Sequence, residues 1–429
     1  MVGDLQMKKI ILNSFVAAAV LFVASCKPEI DTTAGTTAGS ANFSKYIAVG
    51  NSLTAGFADG GLYLEGQKVA YPNLIAEKMA SVGGGSFTSP FFTDAQSDGS
   101  GYITLTALVN GTPTLGRNLG NGWRNSSNTL LTKYTTEIQN LGIPGMSVAL
   151  ATVPAYSALN PYFERVLADA SVGTTSYASF IGGRSHTFFS LWLGNNDVLG
   201  YATNGGVVTG ATNNLTDKTA FAAAYSSLLT VLTASGQKGI VATIPDVTTI
   251  PYFHTVTTAA LKAGAAAINP ALTNIYIQTA SGSRAATNQD LFRLDFSAAT
   301  QFAQGIGLTP TNPIASSWVL DSEEVARVKD YVNSYNASIK SLAASKDLAI
   351  ADTYTYMNRL SAPGGLPIQG INLTSAFISG GAFSLDGIHL TPRANAVIAN
   401  FFIDAINAKY GSAIPTIDIT KYRAVKFPN

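Results

Sequence analysis

Ser52 and His389 are residues whose types could together perform nucleophilic catalysis on an acyl group. Ser52 lies in the segment Gly50–Leu53 (Gly-Asn-Ser-Leu), directly after the apolar run Tyr46–Val49. His389 is one of three histidines, and Asp386 precedes it by three residues. Within one loop, an aspartate at this spacing can orient the imidazole while the other ring nitrogen takes the serine proton. Taken singly, each feature is better explained as a turn serine or as a surface loop before a helix.

Two further segments could stabilise the negative charge of an acyl-transfer transition state. Gly194–Asp197 (Gly-Asn-Asn-Asp) follows an apolar run, and its asparagine side chains can donate hydrogen bonds to an oxyanion while Asp197 braces the loop. Asn140–Gly145 also follows a predicted strand, and Gly142 offers a backbone N–H with no side chain to block approach. Each segment is a common turn composition, so only their combination indicates catalysis.

These segments resemble, in chain order, the four sequence blocks of the SGNH or GDSL hydrolases. Asn140–Gly145 is similar to the second block, Gly194–Asp197 matches the Gly-x-Asn-Asp of the third, and Asp386–His389 matches the Asp-x-x-His of the fourth. The first block departs from the family at Asn51, where the usual Gly-Asp-Ser-Leu has an aspartate. Asparagine keeps an acceptor oxygen but loses a charge. The resemblance spans most of residues 43–410, and its specificity is confined to the four blocks.

The resemblance implies a serine esterase that needs no metal and no organic cofactor. In the family the first-block serine is the nucleophile and the fourth block completes the triad, so these roles fall on Ser52, Asp386 and His389. The family's oxyanion hole combines the N–H of the nucleophile, a second-block glycine N–H and a third-block asparagine amide. The corresponding residues are Ser52, Gly142 and Asn196. The expected substrate is a carboxylic ester, either a lipid ester or another acyl ester.

Two alternative functions remain open at this stage. A carbohydrate O-acetylesterase would share every site residue, because its specificity would lie in the surrounding segments. A surface glycan-binding lipoprotein could keep the fold and lose turnover, although it would have no need for Ser52, Asp386 and His389 together. The expected partner is therefore an ester-containing small molecule, a lipid or an acylated glycan.

The composition and the remaining motifs exclude several other classes. The chain has 26 basic and 25 acidic residues, and only 12% of positions are charged, so it lacks the basic surplus that phosphate backbones require. A single cysteine and no His-x-x-His pair argue against a zinc site. The chain contains neither a Gly-x-Ser-x-Gly elbow nor a Gly-x-x-x-x-Gly-Lys loop. His186 and His254 are interpreted as packing residues.

Apolar runs that read as strands alternate with helical patterns, which predicts a mostly parallel sheet covered on both faces. Sites then belong at the carboxyl ends of the strands. The resemblance implies a flavodoxin-like three-layer α/β/α sandwich with a five-stranded sheet. The predicted strands are Tyr46–Val49, Glu137–Asn140, Thr187–Leu193, Gly239–Ile244 and Leu348–Ala351. The predicted helices include Tyr71–Met79, Lys218–Ser235, Asp321–Lys346 and Arg393–Lys409.

The catalytic domain is expected to span residues 43–429 and to carry two insertions. Residues 80–135 contain a hairpin-like pattern, Tyr102–Leu115, around Asn110-Gly111. Residues 250–318 also do not fit a minimal alternation of strands and helices. Both insertions are expected to decorate the side of the sheet that carries the site.

The N-terminal region resembles the leader of a bacterial lipoprotein. Lys8 and Lys9 precede an apolar run, and Val23–Cys26 (Val-Ala-Ser-Cys) is similar to a lipobox. Residues 1–25 are therefore expected to be a signal peptide, Cys26 a lipidated N-terminus, and residues 26–42 a flexible tether. This predicts a lipid-anchored protein of the bacterial cell envelope, at the outer membrane with a periplasmic or surface face.

Overall fold

The computed structural model describes residues 35–428. The predicted signal peptide, Cys26 and the first part of the tether lie outside this range. Residues 37–42 were expected to belong to the tether, yet they pack against the domain. Ser40 N–H donates to the carbonyl of Tyr410 at 2.8 Å, Ala413 N–H donates to that of Thr37 at 2.9 Å, and Ala41 is buried. The domain therefore begins about six residues earlier than predicted.

A five-stranded parallel sheet forms the centre of the domain. The strands are β1 (Tyr46–Gly50), β2 (Asn140–Gly142), β3 (Phe188–Trp192), β4 (Lys238–Ala242) and β5 (Ala349–Ala351). They lie in the order β5-β4-β3-β1-β2, the flavodoxin-like arrangement in which the order of successive strands across the sheet reverses direction between β1 and β3. Every residue of β1, β2 and β3 is buried, as expected for strands covered by helices on both faces.

Helices cover both faces of this sheet. The longer ones, together with the single turn after β1, are α1 (Ser52–Ala55), α2 (Tyr71–Met79), α3 (Asn196–Thr203), α4 (Lys218–Leu232), α5 (Thr258–Ile268), α6 (Ser322–Ser345), α7 (Thr353–Ser361) and α8 (Pro392–Tyr410). Shorter helices span Leu64–Lys68, Tyr156–Leu159, Pro161–Arg165, Tyr177–Gly182, Pro251–His254 and Ala298–Ala303. Helix α8 packs on α2, β4 and β5, and α6 packs on α4, β4 and β5. No helix among residues 35–428 combines the length and apolarity needed to cross a bilayer.

Local sequence signals set the ends of the two longest helices, each within one residue of its predicted bounds. At α6, Asp321 accepts from the N–H of Glu324, whose side chain accepts in return from the Asp321 N–H, completing a capping box. At α8, Thr391 caps the helix, Pro392 occupies its first position, and Gly411 ends it in the left-handed conformation with φ 64°. These caps hold the start of α8 directly after the loop that carries His389.

The predicted β2 was placed too early in the chain. The structure has a strand at Asn140–Gly142 in place of Glu137–Asn140. The reason is the pairing partner, since β2 pairs with β1 only from Ala48 to Gly50. The carbonyl of Gln139 still accepts from Ala48 N–H, but its own N–H donates to the carbonyl of Thr88 in the first insertion, and its side chain accepts from Thr88 N–H.

Both insertions lie where they contact the site. The first contains the predicted hairpin, Tyr102–Val109 paired with Thr112–Asn118 across the Asn110-Gly111 turn, and Ile103 N–H donates to the carbonyl of Asp59 at 2.7 Å. The second builds a small core of its own, which includes Ile277, Phe292 and Ile314. Its Tyr252 N–H donates to the carbonyl of Gly387 at 3.0 Å. Two short strand pairs lie in or next to this insertion and join Tyr276–Thr279 to Gly282–Ala285 and Leu291–Phe292 to Val319–Leu320. A third pair, after α7, joins Leu366–Ile368 to Ile371–Leu373.

Candidate active site

Ser52 is the first residue of α1, at the carboxyl end of β1. The chain can turn there because residue 50 is glycine, since a Cβ on Gly50 would lie 2.0 Å from Thr54 Oγ1. Asn51 caps the turn, and its Oδ1 accepts from Leu53 N–H at 3.1 Å. Asparagine and aspartate cap helices about equally well, so Asn51 retains the local structure that the family's aspartate would provide.

Ser52, His389 and Asp386 form a continuous hydrogen-bonded chain. Ser52 Oγ lies 2.8 Å from His389 Nε2, and His389 Nδ1 lies 2.7 Å from Asp386 Oδ2. The serine and the histidine are 337 positions apart in the sequence, and the fold brings them together at one edge of the sheet. Phe57 packs on the imidazole with ring centroids 4.7 Å apart, which restricts its rotation. This arrangement can transfer a proton from the serine hydroxyl to the imidazole.

The loop around Asp386 is built to hold a negative charge. Oδ1 accepts from the N–H groups of Ile388 and His389 and from Ser384 Oγ, and Oδ2 accepts from Gly60 N–H as well as His389 Nδ1. Burial disfavours the carboxylate, but the charge of His389 and the hydrogen bonds from His389 and Ile388 outweigh it and hold the pKa of Asp386 well below its usual range. Asp386 is therefore ionised and fixed in orientation.

Asp59 supports this loop from the far side, and the sequence patterns did not point to it. Its N–H donates to Ser384 Oγ at 2.9 Å, and its Oδ1 accepts from Leu385 N–H at 2.8 Å. Tyr63 donates to Oδ2 at 2.6 Å, and burial raises the pKa of Asp59. The Asp59-Gly60 turn and the Asp386 loop thus hold each other by reciprocal hydrogen bonds. Since these residues lie more than 320 positions apart, no local signal could have identified the contact.

The three expected oxyanion donors differ in availability. No acceptor within the described range receives the N–H of Ser52. Asn196 Nδ2 donates one hydrogen to the carbonyl of Met146 at 2.9 Å, which leaves its second hydrogen for another acceptor. The expectation of an open N–H at Gly142 is not met, because this group donates to Asn140 Oδ1 at 3.1 Å.

Gly142 has a packing role that explains its residue type. A Cβ at this position would lie 2.4 Å from Ala55 N, so a side chain here would displace α1. Asn140, besides accepting from Gly142, donates to the carbonyl of Thr54 at 3.0 Å. The second block therefore clamps the short helix that begins at Ser52.

Asp197 braces the loop that leads to Asn196. Its carboxylate accepts from Val148 N–H at 2.8 Å, Ala149 N–H at 3.1 Å and Thr216 Oγ1 at 2.7 Å. Burial raises the pKa of Asp197 to about 6, although these hydrogen bonds oppose the shift. The third block is thereby tied to the loop that follows the second.

The other two histidines stay outside the site, as expected. His186 lies within hydrogen-bond distance of the carbonyls of Arg184 and Leu232. His254 Nε2 lies within hydrogen-bond distance of the carbonyl of Thr248. Across residues 35–428 no group of three or more metal-ligating side chains is arranged around a common point.

A family model described as GDSL-like lipase/acylhydrolase matches residues 46–402 of the chain. Among solved structures, a candidate SGNH hydrolase from Slackia heliotrinireducens is similar at 12% sequence identity with a TM-score of 0.31, over 85% of this chain and 100% of that one. No curated protein matches the sequence. The range matched by the family model runs from β1 into α8 and includes every candidate residue of the triad and of the oxyanion hole.

Proposed function

Because the chain belongs to the GDSL-like lipase/acylhydrolase family, whose members hydrolyse acyl esters, we propose that it is a serine esterase acting through an acyl-enzyme on Ser52. The observation that carries the proposal is the hydrogen-bonded chain from Ser52 Oγ through His389 to Asp386. A non-catalytic glycan-binding protein would have no use for a buried, ionised carboxylate that orients an imidazole toward a serine.

The proposed reaction has two steps. His389 Nε2 takes the proton of Ser52 as Oγ attacks the ester carbonyl carbon, and Asp386 stabilises the imidazolium. The tetrahedral intermediate collapses when the bond to the alcohol oxygen breaks and His389 returns the proton to that oxygen. Water, deprotonated by His389, then attacks the acyl carbon. The bond to Ser52 Oγ breaks, His389 returns the proton to Oγ, and the acid is released. The residues present supply every proton transfer.

The oxyanion is proposed to rest on Ser52 N–H and the second hydrogen of Asn196 Nδ2. Ser52 is the first residue of α1, so its N–H has no partner within the helix. The contact with Met146 fixes the plane of the Asn196 amide before substrate binds. Gly142 N–H can join these donors only by leaving Asn140 Oδ1.

Replacing Asn196 with alanine is expected to lower kcat by roughly 10²- to 10³-fold with little change in KM, because the lost donor acts on charge that develops in the transition state. Steady-state hydrolysis of a p-nitrophenyl ester measures both constants. Asn269→Ala is the matched control, since Asn269 is exposed at the end of α5. An unchanged kcat in Asn196→Ala would remove this residue from the oxyanion site.

A fluorophosphonate probe provides the direct test of the nucleophile. We expect the probe to form one covalent adduct, which peptide mass spectrometry assigns to Ser52, because among residues 35–428 this is the hydroxyl that is hydrogen-bonded to His389. Heat-unfolded protein is the control for non-specific labelling. An adduct on another serine, or none on folded protein that hydrolyses esters, contradicts the proposed mechanism.

A further inference from the structure

An apolar pocket opens directly beside Ser52 and His389. Its wall is assembled from separate parts of the chain: the segment after β4, helix α7, and the segment between α7 and α8. Its main side chains are Pro245, Val247, Ile250, Met357, Phe383 and Leu390. All six are buried apolar side chains of the folded domain.

The polar side chains that line this pocket all belong to the catalytic neighbourhood. They are Asn51, Ser52, Asn195, Asn196 and His389, and no aspartate, glutamate, lysine or arginine takes part. A polar or charged group that entered the pocket would lose its hydrogen bonds to water and find few hydrogen-bond partners in the wall, which is unfavourable. An apolar chain would instead be removed from water next to the nucleophile.

A second, wider cleft begins on the other side of the same residues. Asn196, Leu199 and Ile388 line both spaces, so an ester at Ser52 would extend into each of them. The second cleft is lined by polar and apolar groups and is the more polar of the two, so we call it the polar cleft. Its polar side chains include those of Tyr156, Thr203, Asn204, Asn213, Tyr252 and Arg293. The charge of Arg293 is already compensated, since Asp295 binds its guanidinium through both oxygens. Uncharged hydroxyl and amide groups therefore distinguish this cleft from the apolar pocket.

We infer that the substrate joins a straight acyl chain longer than acetyl to a hydroxyl-rich alcohol, with the acyl chain in the apolar pocket and the alcohol in the polar cleft. This inference rests on the proposed serine-esterase function. An acetyl group would leave most of the apolar wall uncovered, because its single methyl can bury little surface. A long-chain alcohol in the polar cleft would remove its hydroxyl and amide side chains from water without offering them new hydrogen-bond partners.

A series of p-nitrophenyl acetate, butyrate, hexanoate and decanoate tests the acyl pocket on the purified protein. Each methylene that enters the pocket is expected to raise kcat/KM by about fourfold, so butyrate should exceed acetate by on the order of tenfold. A preference for acetate, with rates falling along the series, overturns the inference while the esterase proposal stands. Absence of turnover with every ester overturns both.

Two substitutions of opposite sense connect the preference to this pocket. Val247→Phe narrows the pocket, because the added ring occupies the space of the acyl chain. The ratio of kcat/KM for butyrate to kcat/KM for acetate should then fall by about tenfold, to near one. Met357→Ala widens it and should move the optimum toward longer chains. The acetate rate reports in each case whether the triad is intact. Val109→Phe, at the exposed hairpin, is the matched control. Ratios that neither substitution changes would overturn the assignment of the pocket.

The alcohol side is tested with two butyrate esters, one of a hydroxyl-rich alcohol and one of an apolar alcohol: methyl glucoside 6-butyrate and hexyl butyrate. We expect the glucoside ester to have the higher kcat/KM, because its hydroxyls can pair with the side chains of the polar cleft. A preference for hexyl butyrate would overturn this half of the inference.

Discussion

Replacing Ser52 with alanine is expected to lower kcat for p-nitrophenyl butyrate by at least about 10⁴-fold, since loss of the nucleophile in a serine hydrolase leaves only the contribution of binding and oxyanion donors. The fold should survive the change. Asn51 rather than Ser52 caps α1, and the Ser52 side chain has His389 as its hydrogen-bond partner. The loss of rate should therefore occur without a comparable loss of stability.

The steady-state rates of the wild type and of Ser52→Ala are compared under conditions in which thermal unfolding shows that both proteins are folded. Ser235→Ala is the control, because Ser235 is an exposed serine that follows α4. If Ser52→Ala retained the wild-type rate, another residue would be the nucleophile. Fluorophosphonate labelling of this variant would then identify it.

Replacing Asp386 with asparagine is expected to lower kcat by about 10³- to 10⁴-fold, the second largest effect. An asparagine amide that donates to His389 Nδ1 forces the proton onto Nε2, which then cannot accept from Ser52. The size of the variant side chain is unchanged. The fall in kcat is therefore expected to result from the changed tautomer of the imidazole and not from a cavity.

The pH dependence of Asp386→Asn follows from the lowered pKa of Asp386. The stability contributed by this carboxylate is fully present above the ordinary carboxyl pKa of about 4 and is lost only as the pH falls below it. Between about pH 5 and pH 9 the wild-type carboxylate stays ionised, so the variant should be impaired by the same factor across that range. Asp217→Asn, which keeps an N-cap at α4, is the control. A defect that disappeared with rising pH would contradict the tautomer argument.

The local parts of this protein follow from its sequence, because short-range chemistry determines them. Helix α2 has the predicted bounds, the capping box of α6 forms at Asp321, and Thr391 and Pro392 start α8. The alternation of buried strands with amphipathic helices was enough to predict the parallel sheet. The four short blocks indicated the family, and the match over residues 46–402 confirms it. The lipid anchor at Cys26 stays a prediction.

Only the tertiary structure determined how the blocks are held and what surrounds them. No local pattern in the sequence predicts three of the hydrogen bonds described above. They join Asp59 to the Asp386 loop, Gly142 N–H to the Asn140 side chain, and Ser40 N–H to the carbonyl of Tyr410. The apolar pocket likewise draws its wall from segments that periodicity reads only as core. The physical reason is common to all of them. Sequence periodicity reports whether a side chain is buried, whereas specificity depends on which distant side chains share the same space.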